Sequence, residues 1–143
     1  MTQAMCTSFK VELFQAGHNF KASGGDTFKV ALATSGVTLN AATTNYSALG
    51  GNEVTSTGYV AGGFTLTNVD SSSSGTTAMQ TFSANPSWNP VSFTCSQALI
   101  YNATQGGKAV AVLDFAGSQT VSAGNFTINL PTVTPTTALL RLV

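Results

Sequence analysis

The stretch from Val91 to Phe115 limits what this chain can fold into more than any other. Val91, Phe93 and Cys95 alternate with Ser92, Thr94 and Ser96, the period of a β-strand covered on one face. From Ala98 to Tyr101, and again from Ala109 to Leu113, the alternation gives way to unbroken apolar runs. Such runs suit strands buried on both faces. Between them, Asn102 to Lys108 is polar and carries Gly106-Gly107, a pair free to adopt positive φ in a tight connection. The pattern predicts a central hairpin.

Strand patterns recur on both sides of it. Thr27 to Thr34 places Phe28, Val30 and Leu32 on one face, and shorter patterns follow at Thr55 to Ala61, Phe64 to Val69 and Thr76 to Ala84. Asn125 to Leu130 and Ala138 to Val143 complete the set. Turn chemistry separates them: Ser23 to Asp26, the serine-rich Asp70 to Gly75, Asn85 to Pro90, and Ala116 to Gln119. Ser35 to Gly63 is harder to read, with Leu39, Tyr46, Leu49, Val54 and Tyr59 among its apolar anchors. A loop of that length is often a contact surface. No crossover helices of the kind a parallel sheet requires are visible. The expected fold is all-β, an antiparallel β-sandwich of which the jelly roll is one form, with a short N-terminal helix.

That helix is expected within Met1 to Ala16. Met5, Phe9 and Leu13 recur at four-residue spacing, with Val11 and Phe14 widening the stripe. Thr7 or Ser8 can cap its start and Gly17 its end. The chain then divides into residues 1–20, a helical segment or arm, and residues 21–143, one sandwich domain. Five large apolar side chains in so short a segment have to cover something: the domain's own sheet, a sister subunit or another protein. Met5, Phe9, Val11, Leu13 and Phe14 are therefore the candidate assembly residues.

The charge pattern excludes several functions. Only 7% of the residues are charged and the formal net charge is zero, against a usual charged share of about 25%. Polarity comes from 22 threonines and 15 serines instead, so copies of the chain repel one another little. The basic residues Lys10, Lys21, Lys29, Lys108 and Arg141 are scattered, which does not build the basic face that nucleic acid requires. No apolar run is long enough to span a membrane, and no secretory signal pattern opens the chain. Cys6 and Cys95 form no CxxC pair, so neither a zinc site nor a redox motif is expected. Cys95 reads as a buried thiol, and a disulfide between the two is arithmetically open.

Catalytic constellations are equally sparse. His18, the only histidine, lies in a polar turn with no nucleophile motif beside it. The five acids are dispersed, and no Gly-x-Ser-x-Gly elbow or phosphate-binding glycine motif occurs. Asp114, flanked by Leu113 and Phe115, reads as a structural hydrogen-bonding group. Trp88 either plugs one end of the core or sits at an interface. No catalytic residue, metal or cofactor is expected.

Several stretches in order carry a resemblance: Ala4 to Lys10, Gly25 to Leu32, Asn52 to Val54, Thr57 to Gly63, Ala98 to Asn102 and Ala109 to Phe115. Together they resemble small virion structural proteins of tailed bacteriophages, of the capsid decoration or cement type. The resemblance implies a non-enzymatic protein on the capsid surface, made in the host cytoplasm. It would be a homo-oligomer, a trimer by analogy, with the major capsid protein as partner and no role for membrane or nucleic acid. Two alternatives stand beside it. One is a tail or head-to-tail component. The other is a carbohydrate-binding host-attachment module using Trp88, Tyr46, Tyr59 and Tyr101, which requires those rings to be exposed together.

Overall fold

A computed structural model describes the whole chain, residues 1–143. In order it contains β1 (Thr2–Met5), α1 (Thr7–Phe14), β2 (Phe28–Ala33), a 3₁₀ segment at Tyr46–Asn52, β3 (Phe64–Thr65), β4 (Ser72–Ser74), β5 (Thr77–Gln80), β6 (Ser87–Asn102), β7 (Lys108–Thr127) and β8 (Leu140–Leu142). The strands form two antiparallel sheets, β1-β7-β6-β2-β3 and β4-β5-β8. The fold is the expected sandwich-like all-β arrangement with a short helix near its start.

The hairpin of β6 and β7 is the spine. Its two halves are buried differently, as the sequence periodicity requires. Gln97 to Asn102 are all buried, whereas from Ser87 to Ser96 Trp88, Val91 and Cys95 point inward between exposed or half-buried neighbours. The doubly buried half lies between two covering layers. Val30 and Leu32 of β2 share one face with Ile100 and Ala98 of β6. On that face Phe28 stacks on Phe20 at 4.3 Å and meets Phe82 at 5.7 Å. Phe9 of α1 completes the cluster edge-on to Phe20. The opposite face, bearing Ala31, Leu99 and Gln97, is covered by residues 34–63. There the Gln97 amide exchanges hydrogen bonds of 2.8 and 2.9 Å with the backbone of Leu39, and Tyr46 stacks on Tyr101 at 4.5 Å. Leu32, Leu99, Ile100 and Leu113 are fully enclosed, each contributing about 1.5–3 kcal/mol by burial.

Several local expectations are corrected. The helix occupies only Thr7–Phe14, because Thr2–Met5 pairs with β7 from Asp114 to Ala111. That edge of β7 would otherwise present unpaired backbone groups, so the sheet takes in part of the N-terminal segment. Thr55 to Ala61 forms turns rather than a strand, with positive φ at Gly58 and, just beyond it, at Gly62. The strand expected at Phe64 to Val69 contracts to Phe64–Thr65. The serine-rich turn contains a strand, since Ser72–Ser74 pairs with Thr77–Met79 around Gly75; ladder bonds outweigh serine's preference for turns. The bend expected from Asn85 to Pro90 already belongs to β6 from Ser87. Ala116 to Gln119 is a bulge inside β7 rather than a turn. Gln97 pairs with Asp114 and Cys95 with Gln119, so Phe115 to Ser118 bow outward, with positive φ at Ala116 and Gly117.

Trp88 is buried and takes the core-plug role. Cys6 and Cys95 are both buried free thiols, so the disulfide is absent. No helix is long and apolar enough to cross a membrane.

Candidate assembly face

Two polar clusters built around ionisable side chains hold the fold together from within. In the first, the Glu53 carboxylate accepts from the hydroxyls of Tyr46 and Tyr59, the latter at 2.8 Å, and from the Gly62 N–H at 2.7 Å. Tyr59 Oη accepts in turn from the Leu32 N–H at 3.0 Å. The Tyr101 hydroxyl donates to the Gly62 carbonyl at 2.6 Å. Burial first, and then the negative charge of Glu53, pushes the Tyr101 phenol up to about 12. Tyr46 and Tyr59 are raised further, again chiefly by burial. The phenols stay protonated as donors, and the cluster pins the segment from Tyr46 to Gly63 onto the sheet.

The second cluster surrounds His18, whose side chain has no exposed surface. Its Nε2 lies 2.6 Å from Glu12 Oε2, and its Nδ1 lies 3.0 Å from Asn102 Nδ2. An amide nitrogen only donates, so Nδ1 accepts and Nε2 carries the proton toward Glu12. The Asn102 amide also donates to Asp26 Oδ2 at 2.7 Å. Phe9 packs edge-on to the imidazole at 4.9 Å. Both ring nitrogens are engaged within the fold, tying α1 to the hairpin and to the loop before β2. Asp114 is likewise structural, accepting from the Ala116 N–H and from the Gln97 amide. No group of three or more His, Cys, Asp or Glu side chains could hold a metal ion.

The surface of α1 is different. The five sequence-predicted assembly residues separate into three groups. Phe9 is 2% exposed and belongs to the core, because it closes the aromatic cluster beneath the helix; it is withdrawn as a contact residue. Met5 and Leu13 are half-buried and line an apolar groove of about 100 Å³ together with Phe20, Met79 and Leu142. Val11 and Phe14 point outward, 54% and 95% exposed. Phe9 and Leu13 are one turn apart on the inner side, whereas Val11 and Phe14 are three apart on the outer side. An exposed phenylalanine forgoes roughly 1.5–3 kcal/mol that burial would supply.

The far wall of the groove comes from strands β5 and β8, distant in sequence from α1. Gln3 holds the approach to β8 in place by donating to the carbonyl oxygens of Thr137 and Ala138. Met79 and Leu142 carried no assembly signal beyond strand alternation, so sequence reasoning missed them. The rings that a sugar-binding surface would use are turned inward. Trp88, Tyr59 and Tyr101 are buried, and Tyr46 stacks on Tyr101. No family model, curated protein or solved structure matches the chain.

Proposed function

We propose that this chain is a non-enzymatic structural protein of a bacteriophage particle, a decoration or cement protein that binds the outer capsid surface as a homo-oligomer. The observation that carries the reading is Phe14, 95% exposed on a helix whose other side lines an apolar groove through Leu13, on a protein whose polar clusters are committed to its own fold. An exposed aromatic with an adjacent groove is what an assembling surface presents. The low charge supports the same reading, since copies packed on a shell repel little. So does the resemblance of several stretches to small virion proteins of tailed phages. The mechanism is clamping. Each oligomer, a trimer in this reading, spans adjacent major capsid protein subunits, and many modest contacts combine into high avidity. Each oligomer then raises the free energy needed to separate the subunits it bridges.

The test is to mix the purified protein with capsids that lack it, sediment the particles and heat the complex. Saturable co-sedimentation and a raised shell disruption temperature are expected. No co-sedimentation with capsids of the particle that encodes it would overturn the reading.

A further inference from the structure

We infer that the free edge of β7, from Gln119 to Thr127, pairs antiparallel with the same edge of a second copy about a two-fold axis, so that the hairpins of two molecules join into one continuous sheet. The inference goes beyond the decoration reading and does not rest on it, since it assigns an edge which that reading leaves unused.

The backbone groups of this edge call for a strand. β7 is 20 residues long, and β1 covers it only from Ala111 to Asp114. From Phe115 to Thr127 its one neighbouring strand is β6, and no loop backbone bonds to its other side. The matching edge of β6 is guarded. Pro90 has no N–H to offer, and Ser56 Oγ donates to the Ser92 carbonyl at 2.7 Å. Gly58 lies so close that a Cβ there would sit 2.4 Å from the Pro90 oxygen. The far half of β7 has no such cover. It also lacks the charges by which bare edges turn other strands away, since no charged residue occurs from Phe115 to Leu140. Gln119, Thr120, Ser122, Ala123 and Asn125 are all exposed. N–H and C=O groups left at strand spacing are met by another extended backbone.

The register selects a second copy of this chain as that backbone. β7 skips at Ser122 and Ala123, because Val121 pairs with Phe93 and Gly124 with Val91. The skip splits the edge into two halves and shifts the side-chain alternation by one between them. Gln119, Val121 and Phe126 lie on the face of Phe93, where Phe126 meets Phe93 at 5.2 Å and Gln119 shares a cleft with Phe126. Thr120 and Asn125 lie on the opposite face, Thr120 bonded to Thr94 at 3.0 Å and Asn125 to Ser87 at 2.8 Å. A two-fold axis at the skip sets Gln119 opposite Phe126, Thr120 opposite Asn125 and Val121 opposite Gly124. Each side chain then meets one from its own face. One half of the edge complements the other, which is what an isologous contact needs. Strands paired about a two-fold also bring their own charges together, and this edge has none to repel.

The experiment joins sedimentation of the full chain across a concentration series to cysteine cross-linking under mild oxidation. Thr120→Cys with Asn125→Cys should give a covalent dimer at least about tenfold faster than either change alone. The two positions are too far apart along one strand to bridge within a chain, and the native cysteines are buried. Thr120→Lys with Asn125→Lys sets lysine opposite lysine twice in each pair and should weaken association by a factor of about 2 to 30. Thr120→Lys with Asn125→Asp should restore it. Both side chains are exposed, so circular dichroism and melting should match the parent. A parent that forms no species with an even number of copies overturns the inference. So does association that the two lysines leave unchanged, or a double-cysteine chain that cross-links no faster than the single ones. Protection of residues 119–127 from hydrogen exchange that appears only when capsids are added would give the edge to a capsid strand and overturn self-pairing.

Discussion

Replacing Glu53 with alanine should cost more stability than its half-buried position suggests. The carboxylate accepts from three donors: the Tyr46 and Tyr59 hydroxyls and the Gly62 N–H. A hydrogen bond to a charged group contributes about 1.5–3 kcal/mol, so three set a gross loss of roughly 4.5–9 kcal/mol. Two effects reduce it. Removing the charge recovers the desolvation penalty of the carboxylate, and water can reach the half-buried Tyr46. A net loss of about 3 kcal/mol is expected for Glu53→Ala, and about 1–2 kcal/mol for Glu53→Gln, which keeps one acceptor oxygen. Urea denaturation followed by tryptophan fluorescence measures both, since Trp88 lies 5.9 Å from Tyr59 and reports on the same end of the core. Hydrogen exchange should show residues 46–63 losing protection before the hairpin does. A loss below about 0.5 kcal/mol for Glu53→Ala would refute the claim that this carboxylate pins the covering segment.

Other perturbations have equally definite outcomes. Gly63 has φ of +84°, and a Cβ there would lie 1.9 Å from the Val30 carbonyl oxygen; Gly63→Ala should lose about 3 kcal/mol or more in the same denaturation assay. Asn102→Leu removes the amide that serves both His18 and Asp26, and a melting temperature lowered by several degrees is expected. Burial raises the Cys6 thiol to about 11 and the Cys95 thiol to about 12, each from 9.0. The unfolded chain therefore ionises first as pH rises, so stability present below pH 9 should fall between pH 9 and 12, and thiol reagents should label either cysteine only on unfolding. At the acid end, burial raises the Asp26 carboxyl, but hydrogen bonds from Asn102 and the Asn19 N–H outweigh it and hold the group below 3.8. The unfolded chain takes up that proton first, so denaturant midpoints should fall as the pH drops below that value.

The parts of the fold written in periodicity were readable and the parts set by partners were not. The hairpin was legible because the short apolar runs Ala98 to Tyr101 and Ala109 to Leu113 suit strands covered on both faces, with Gly106-Gly107 as a turn between them. β1 was not, since Thr2 to Met5 has no alternation and becomes a strand only by meeting the open edge of β7. Ala116 to Gln119 has the composition of a turn, and only the ladder on either side shows it to be a bulge. Ser72 to Ser74 is a strand through its register with Thr77 to Met79 and through no propensity of its own. The assembly face divides in the same way. Helical spacing singled out the residues of α1, but could not say that Phe9 is enclosed while Phe14 is free. The opposite wall at Met79 and Leu142 arises from tertiary packing alone.

The most direct test of the account is the copy number of this chain in purified particles, measured against the major capsid protein by quantitative gel or mass spectrometry. A protein that clamps the shell repeats over the lattice, so the account predicts a fixed ratio to the major capsid protein, with many copies per particle. A stoichiometry of a single ring or a few fibres would assign the chain to the tail or connector, and its absence from the particle would contradict the structural role altogether.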